Sequence, residues 1–96
     1  MKEQLYLTNL YDTYSSLLTD KQQEYFEDYY FNNLTLSEIS ENNEVSRSAV
    51  SKALGEIETK LNNYEDKLRL VSKYKEVMLA INDSNLKEVV MEILNR

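Results

Sequence analysis

The chain has 96 residues, a formal net charge of −6, and neither cysteine nor histidine. This length suits one domain with a modest core, so residues 1–96 are predicted to form a single helical domain. The missing residue types exclude disulfides, thiolate metal sites and the commonest general base. Without a calcium-loop spacing either, we expect no enzyme, no cofactor and no metal site. No apolar run approaches the roughly 18 residues of a membrane span and no signal peptide opens the chain, so a cytoplasmic protein is expected.

The charge is unevenly distributed along the chain. Residues 1–44 carry two basic and nine acidic side chains, a balance of −7, whereas residues 45–96 carry nine basic and eight acidic ones, a balance of +1. Acidic flanks weaken non-specific binding to phosphates. Any nucleic-acid surface is therefore expected to be local and to lie in the second half.

Two helices are predicted before residue 33. Residues 4–18 place one apolar stripe on a helix, formed by Leu7, Leu10, Tyr11, Tyr14, Leu17 and Leu18. Thr19 and Gln22 have the spacing of a capping box that begins a second helix at about 20–32. The outer face of that second helix is acidic, with Glu24, Glu27 and Asp28.

Residues 34–61 have the pattern of a helix-turn-helix core. Thr35 and Glu38 form a second capping box before a short helix, about 36–42, and Ser46 can cap the next helix. That next helix has one apolar face, formed by Ala49, Val50, Leu54, Ile57 and Leu61. We expect small Ala49 to allow the two helices to cross closely and Val45 to fill the angle between them. This arrangement is typical of a motif whose second helix enters the major groove of DNA.

Four side chains on the first two turns of this second helix point away from its apolar face: Arg47, Ser48, Ser51 and Lys52. Arginine can pair with guanine, serine with bases or phosphate, and lysine with phosphate. The helix N-terminus adds a partial positive charge. These residues are candidate nucleic-acid contacts, and the alternative is an ordinary solvated helix face.

The apolar spacing continues beyond residue 61 and favours one long helix from 47 to about 81. Gly55 and Asn62-Asn63 weaken it, so a break at 62–63 is the alternative. Asn82-Asp83-Ser84 is predicted to end this helix and cap a last one, 85–95. Residues 64–95 are predicted to form a helical arm, either as a hairpin or as the interface of a homodimer; the alternative is an extension of the chain's own core.

The run LLTDKQQEYFEDYYFNNLTLSEISENNEVSRSAVSKAL, followed by the segment Tyr64–Leu68, resembles the YlxM family over about residues 5–80. These are small bacterial proteins whose genes lie beside those of the signal recognition particle. The resemblance implies a helix-turn-helix like the fourth region of sigma factors. Together with the spacing described above, this predicts an all-α fold with a long recognition-plus-coil helix and a C-terminal helix. Carried over by position, it implies nucleic-acid contacts at Ser46, Arg47, Ser48, Ser51 and Lys52.

The function expected from this resemblance is a nucleic-acid-binding regulatory protein of the signal recognition particle pathway that contacts DNA. The alternative is a protein-interaction accessory that binds the particle's RNA or its GTPases through the acidic N-terminal face. One departure concerns Glu44, which occupies the turn position that is usually glycine. Because a left-handed backbone there would cost on the order of 1 kcal/mol, a wider or altered turn is expected.

Overall fold

The computed structural model describes residues 2–81 and 83–96, and these form helices without any strand. The helices are α1 (Lys2–Tyr14), α2 (Asp20–Tyr30), α3 (Leu36–Asn43), α4 (Arg47–Leu68), α5 (Leu70–Ala80) and α6 (Ser84–Leu94), and a 3-10 turn, Ser15–Leu17, follows α1. The predicted all-α class is confirmed. Asn82, which belongs to the predicted cap of the last helix, lies outside the described residues; Asp83 caps α6, because its Oδ1 accepts the N–H of Leu86 at 3.0 Å.

The starts of α2 and α3 are fixed by local hydrogen bonds. The Thr19 hydroxyl accepts the N–H of Gln22 at 3.1 Å, and the Gln22 side chain accepts the N–H of Thr19 at 3.0 Å. Thr35 and Glu38 repeat this exchange, with both distances 3.1 Å. Each exchange satisfies two N–H groups that a helix start leaves free. Both predicted capping boxes are confirmed.

The hydrophobic core lies along one side of α4, where α1, α2 and α3 cover Val50, Leu54, Ile57 and Leu61. The other core residues are Leu7, Leu10, Tyr11, Tyr14, Leu18, Tyr25, Phe26 and Ile39. Leu17, predicted for the apolar stripe of the first helix, is instead 51% exposed. The reason is that α1 ends at Tyr14, and the tighter 3-10 turn that follows changes the direction of successive side chains.

Two expectations about the crossing of α3 and α4 are wrong. Ala49 is exposed, and Val45 is 40% exposed. The buried stripe of α4 begins at Val50, and at about 100° per residue Ala49 is turned away from it. Ala53, one turn later, is the small residue that packs partly buried against the core.

Tyrosine hydroxyls tie α1, α2 and α4 together in pairs. Each donates to a glutamate on another helix: Tyr11 to Glu27 (2.5 Å, α1 to α2), Tyr14 to Glu65 (2.6 Å, α1 to α4) and Tyr30 to Glu58 (2.6 Å, α2 to α4). Burial, together with the neighbouring carboxylate, raises the pKa of all three phenols. The phenols therefore remain protonated and act as donors at neutral pH.

The long helix ends at Leu68, so the predicted continuous helix 47–81 is wrong. The alternative break at 62–63 is also wrong, since α4 runs through both asparagines and the Asn62 side chain donates to the carbonyl of Glu58 at 2.9 Å. The break occurs at Arg69, whose backbone is left-handed (φ 55°, ψ 30°).

Glu65, only 7% exposed, caps the start of α5 across this break. Its carboxylate accepts the N–H of Val71 at 3.1 Å, the N–H of Ser72 at 3.1 Å and the hydroxyl of Ser72 at 2.7 Å. Tyr14 donates to the same carboxylate and accepts the N–H of Leu70 at 3.0 Å. Burial by itself would raise the pKa of Glu65, but the hydrogen bonds lower it below its ordinary 4.5. The first N–H groups of α5 are thus held by α1 and α4.

The helices after this junction give the molecule an elongated shape. Neither α5 nor α6 contains a buried residue. The radius of gyration is 16.0 Å, and the molecule measures 51 × 25 × 25 Å. A compact domain of this length would have a radius of gyration of about 12–13 Å. Of the two last helices, α5 packs against α1 and α4, with Val71 partly buried against the core, whereas α6 shows no comparable packing against the other described helices.

The Glu65 cap predicts a stability effect that depends on pH. Glu65→Gln keeps the size of the side chain but removes the charge that accepts these hydrogen bonds, and we expect the free energy of unfolding at pH 7 to fall by about 1–3 kcal/mol. Because the folded pKa of Glu65 is below 4.5, this stabilisation is present above pH 4.5 and is lost as the pH falls through the folded value. The difference between wild type and variant should therefore shrink below pH 4.5, as measured by urea denaturation followed by circular dichroism.

The matched control is Asp66→Asn, because Asp66 is the exposed neighbour of Glu65. This control should stay within about 0.5 kcal/mol of wild type at pH 7. Equal stability of Glu65→Gln and wild type at that pH would contradict the capping role.

Candidate nucleic-acid interface

The turn between α3 and α4 is built on a strained residue. Glu44 has a left-handed backbone (φ 55°, ψ 42°), and its N–H donates to the carbonyl of Glu41 at 3.3 Å. The N–H of Val45 donates to the carbonyl of Ser40 at 3.0 Å, which closes the end of α3. The expected wider turn is therefore wrong. The chain retains a tight left-handed turn with a glutamate in it, at a cost of about 1 kcal/mol.

Ser46 sets the start of α4. Its Oγ accepts the N–H of Ala49 at 3.1 Å and lies 3.2 Å from the Oγ of Ser48. The predicted N-cap is confirmed. No acidic residue lies in the first turn of α4, so no carboxylate of that turn offsets the partial positive charge of the helix N-terminus.

All the predicted contact residues lie together on one exposed surface at the start of α4. Arg47 and Ser51 are one turn apart, as are Ser48 and Lys52, so the four side chains form two adjacent columns. These four residues and Ser46 are exposed, while Val50 between them is fully buried. The structure thus brings the five predicted residues to one place and leaves their surfaces open.

The two cations of this surface are free of ion pairs among the side chains that the structure describes. Those side chains form the ion pairs Lys21–Glu24 and Arg96–Glu92. Arg47 and Lys52 take part in neither. Their charged groups are therefore available to an external anion, although exposed Glu44 and Glu56 flank them in the sequence.

Sequence reasoning missed a third cation beside the turn. The ammonium of Lys21, at the start of α2, donates to the side-chain carbonyl of Asn43, the last residue of α3. It also lies 3.4 Å from Glu24 and 5.4 Å from the centre of the Tyr25 ring. Because 22 residues separate Lys21 from Asn43, no local pattern could have revealed that the acidic first half contributes a lysine here.

Gly55 leaves bare backbone one turn beyond Ser51. It is exposed within α4, and a Cβ added there would meet nothing within 4 Å. Packing within the chain therefore does not require glycine at this position, although glycine costs about 1 kcal/mol relative to alanine in a helix interior.

The part of the chain that the structure describes holds no cluster of three or more side chains suited to a metal ion. Among the same residues, none of the helices combines the length and the apolar character that crossing a bilayer requires.

Comparison with known proteins agrees with this geometry. Residues 1–94 match the family UPF0122, described as "Putative helix-turn-helix protein, YlxM / p13 like". A UPF0122 protein of Caldanaerobacter subterraneus is 52% identical over 77 residues, which cover 80% of this chain and 66% of that protein. One of Malacoplasma penetrans is 42% identical over 86 residues, which cover 86% and 80%, respectively.

A further UPF0122 protein, from Ureaplasma urealyticum, is 44% identical over 91 residues and covers 92% of both chains. The chain spans slightly less than two thirds of the length of the Caldanaerobacter relative and 63% of one from Thermoanaerobacter. With the family match extending over nearly the whole sequence, this chain belongs to the UPF0122 family of YlxM / p13-like helix-turn-helix proteins.

Proposed function

We propose that the chain is a nucleic-acid-binding regulatory protein that places the first two turns of α4 in the major groove of DNA. The observation that carries this proposal is the pair Arg47 and Lys52, both exposed and both free of ion pairs within the described residues. They lie at a capped helix start whose first turn has no acidic side chain, in a family described as helix-turn-helix. A helix start of this kind attracts phosphate.

The side chains of this surface have distinct roles in the proposal. Arg47 and Lys52 bind backbone phosphates on either side of the groove, while Ser48 and Ser51 lie closest to base edges. Ser46 uses its Oγ to cap the N–H of Ala49, and the first-turn N–H groups that remain point along the helix axis towards a phosphate. Ser46 thus acts mainly by holding the helix start in place.

The choice of target rests on the resemblance to proteins whose genes lie beside those of the signal recognition particle. The first nucleic acid to test is therefore the regulatory DNA upstream of those genes, and the second is the RNA of the signal recognition particle. The proposal assigns no catalytic role to the chain, which has neither histidine nor cysteine to serve as a base or nucleophile.

The alternative function, binding of a basic protein through the acidic face of α2, has weaker support. Glu24 pairs with Lys21, Glu27 accepts the Tyr11 hydroxyl, and Asp28 accepts the side-chain N–H of Asn32 at 3.2 Å. These carboxylates are already partnered inside the chain. A basic partner of this face would have to compete with these contacts, whereas the described residues leave Arg47 and Lys52 without an ion pair.

The double variant Arg47→Ala/Lys52→Ala tests the proposal. Losing two phosphate contacts should weaken binding to duplex DNA and reduce the salt slope of log K by about 2. Fluorescence anisotropy with labelled duplex DNA and with signal recognition particle RNA, at several salt concentrations, measures both quantities. Lys73→Ala/Lys75→Ala is the matched control, because it removes the same charge from exposed positions on α5.

Unchanged binding and slope in the Arg47/Lys52 variant would refute these contacts, and equal losses in both variants would show that only net charge matters. The acidic-face alternative predicts a different result. A pull-down of signal recognition particle proteins would then survive the Arg47/Lys52 change and be lost when Glu24, Glu27 and Asp28 are replaced by lysine.

Glu44 is predicted to lower both stability and affinity, and two substitutions separate the effects. Glu44→Gly relieves the left-handed strain and should raise the free energy of unfolding by about 0.5–1 kcal/mol. Glu44→Gln keeps the strain and removes only the charge. In anisotropy titrations both variants should bind duplex DNA more tightly than wild type, whereas thermal denaturation should show a gain for Glu44→Gly alone. If neither binds more tightly, Glu44 does not lie beside the phosphates.

A further inference from the structure

Lys21 is an isolated cation in an acidic part of the chain. Residues 3–44 carry nine acidic side chains, and Lys21 is their only basic one. It lies in the first turn of α2, and its side chain remains 55% exposed. What this cation can bind therefore depends on where its contacts hold it.

The contacts of Lys21 hold its ammonium beside the end of α3. The Nζ atom donates to the side-chain carbonyl of Asn43, the last residue of α3. Asn43 is itself held in place, because its side-chain N–H donates to the carbonyl of Ile39 at 2.7 Å. The Nζ atom also lies 5.4 Å from the centre of the Tyr25 ring, which favours a cation. A charge that belongs to α2 is thus held at the turn of the helix-turn-helix.

This position is close to the proposed contact surface on α4. Ser46 follows Asn43 by three residues, and three residues span at most about 11 Å even when fully extended. The left-handed backbone of Glu44 makes this segment a turn, so the span is shorter than that limit. Because the major groove is about 12 Å wide, a duplex that takes up the start of α4 has a phosphate backbone at a comparable distance to the side.

A backbone phosphate suits the Lys21 ammonium better than a base does. In a helix-turn-helix the second helix lies in the groove and the helix before it crosses the DNA backbone, and Lys21 lies at the end of that crossing helix. A lysine binds phosphate as a point charge and does not need a fixed orientation. Its charged partner, Glu24 at 3.4 Å, is 52% exposed, and ion pairs this exposed contribute little to stability. A phosphate can therefore replace Glu24 beside the ammonium.

We propose that Lys21 is a third phosphate contact, which binds the DNA backbone beside the end of α3 while Arg47 and Lys52 bind it at α4. This inference rests on the proposed function, because it requires duplex DNA at the start of α4. The contact comes from α2, outside the helix pair, and it orients the protein on the duplex without reading sequence. Glu24 then weakens binding, since it competes with the phosphate for the same ammonium.

Anisotropy titrations with labelled duplex DNA at several salt concentrations test this contact. Lys21→Gln removes the charge and keeps a side-chain amide that can donate to Asn43. It should weaken binding and reduce the salt slope of log K by about 0.9, the value for one phosphate. Glu24→Gln should bind more tightly than wild type. The matched control, Lys75→Gln, removes one charge from an exposed position on α5 and should keep the wild-type slope.

Asn43→Ala separates a phosphate contact from a tie that only joins α2 to α3. This variant loses the hydrogen bond to Lys21 but retains the ammonium, so the slope should stay at the wild-type value. Equal losses of slope in Asn43→Ala and Lys21→Gln would overturn the inference. A wild-type slope in Lys21→Gln, together with a reduced one in the Arg47/Lys52 variant, would overturn this inference alone. A wild-type chain that binds no duplex DNA would overturn the proposed function as well.

Photo-cross-linking keeps the test decisive if the substitutions alter the fold. The chain has no cysteine, so an introduced one carries the only thiol label. Lys21→Cys and Lys75→Cys are each labelled with benzophenone maleimide and irradiated in the presence of duplex DNA. Lys21→Cys should form a covalent adduct with the DNA, whereas Lys75→Cys should not. Equal yields at the two positions, or no adduct at position 21, would overturn the inference.

Discussion

The hydrogen bonds of the Glu65 carboxylate join the core formed by α1–α4 to the start of α5. It is buried where α1, α4 and α5 meet, accepts a phenol, a serine hydroxyl and two backbone N–H groups, and has no cationic partner among the described residues. The same chemistry recurs at Glu27 and Glu58, which each accept a tyrosine hydroxyl from another helix. In a chain with 17 acidic residues and eight tyrosines, carboxylates thus serve as internal acceptors that join helices.

Because several carboxylates are used between helices, the net charge does not describe the charges at each surface. The formal −6 suggests a poor partner for nucleic acid, but Glu27, Glu58 and Glu65 are engaged between helices. The start of α4, in contrast, presents Arg47 and Lys52 without a partner among the described residues, and Lys21 comes close to the turn from α2. Local geometry therefore decides which charges an external phosphate meets at contact, while the net charge still sets the long-range repulsion.

The features that the sequence predicted correctly depend on residues close together in the chain. The capping boxes at Thr19 and Thr35, the Ser46 cap and the grouping of the candidate contacts depend on residues three or four apart, where spacing alone sets the geometry. The break at Arg69 could not be predicted, because Tyr14 and Glu65 meet across 51 residues. Lys21 was missed for the same reason. Glu44 was misjudged differently: the cost of its backbone was foreseen, but the fold accepts it because hydrogen bonds close the end of α3.

The placement of the one glycine has a consequence for how the protein tolerates heat. Glu44, at the end of α3, and Arg69, at the end of α4, both adopt a left-handed backbone that glycine would adopt without strain, while Gly55 lies mid-helix where alanine would fit. Two positions whose backbone favours glycine are thus occupied by glutamate and arginine, and the one glycine occupies a helical position that favours alanine. Thermal tolerance can therefore change at these three exposed sites without repacking the interior. A relative adapted to a hotter environment has room to differ there while keeping the same core.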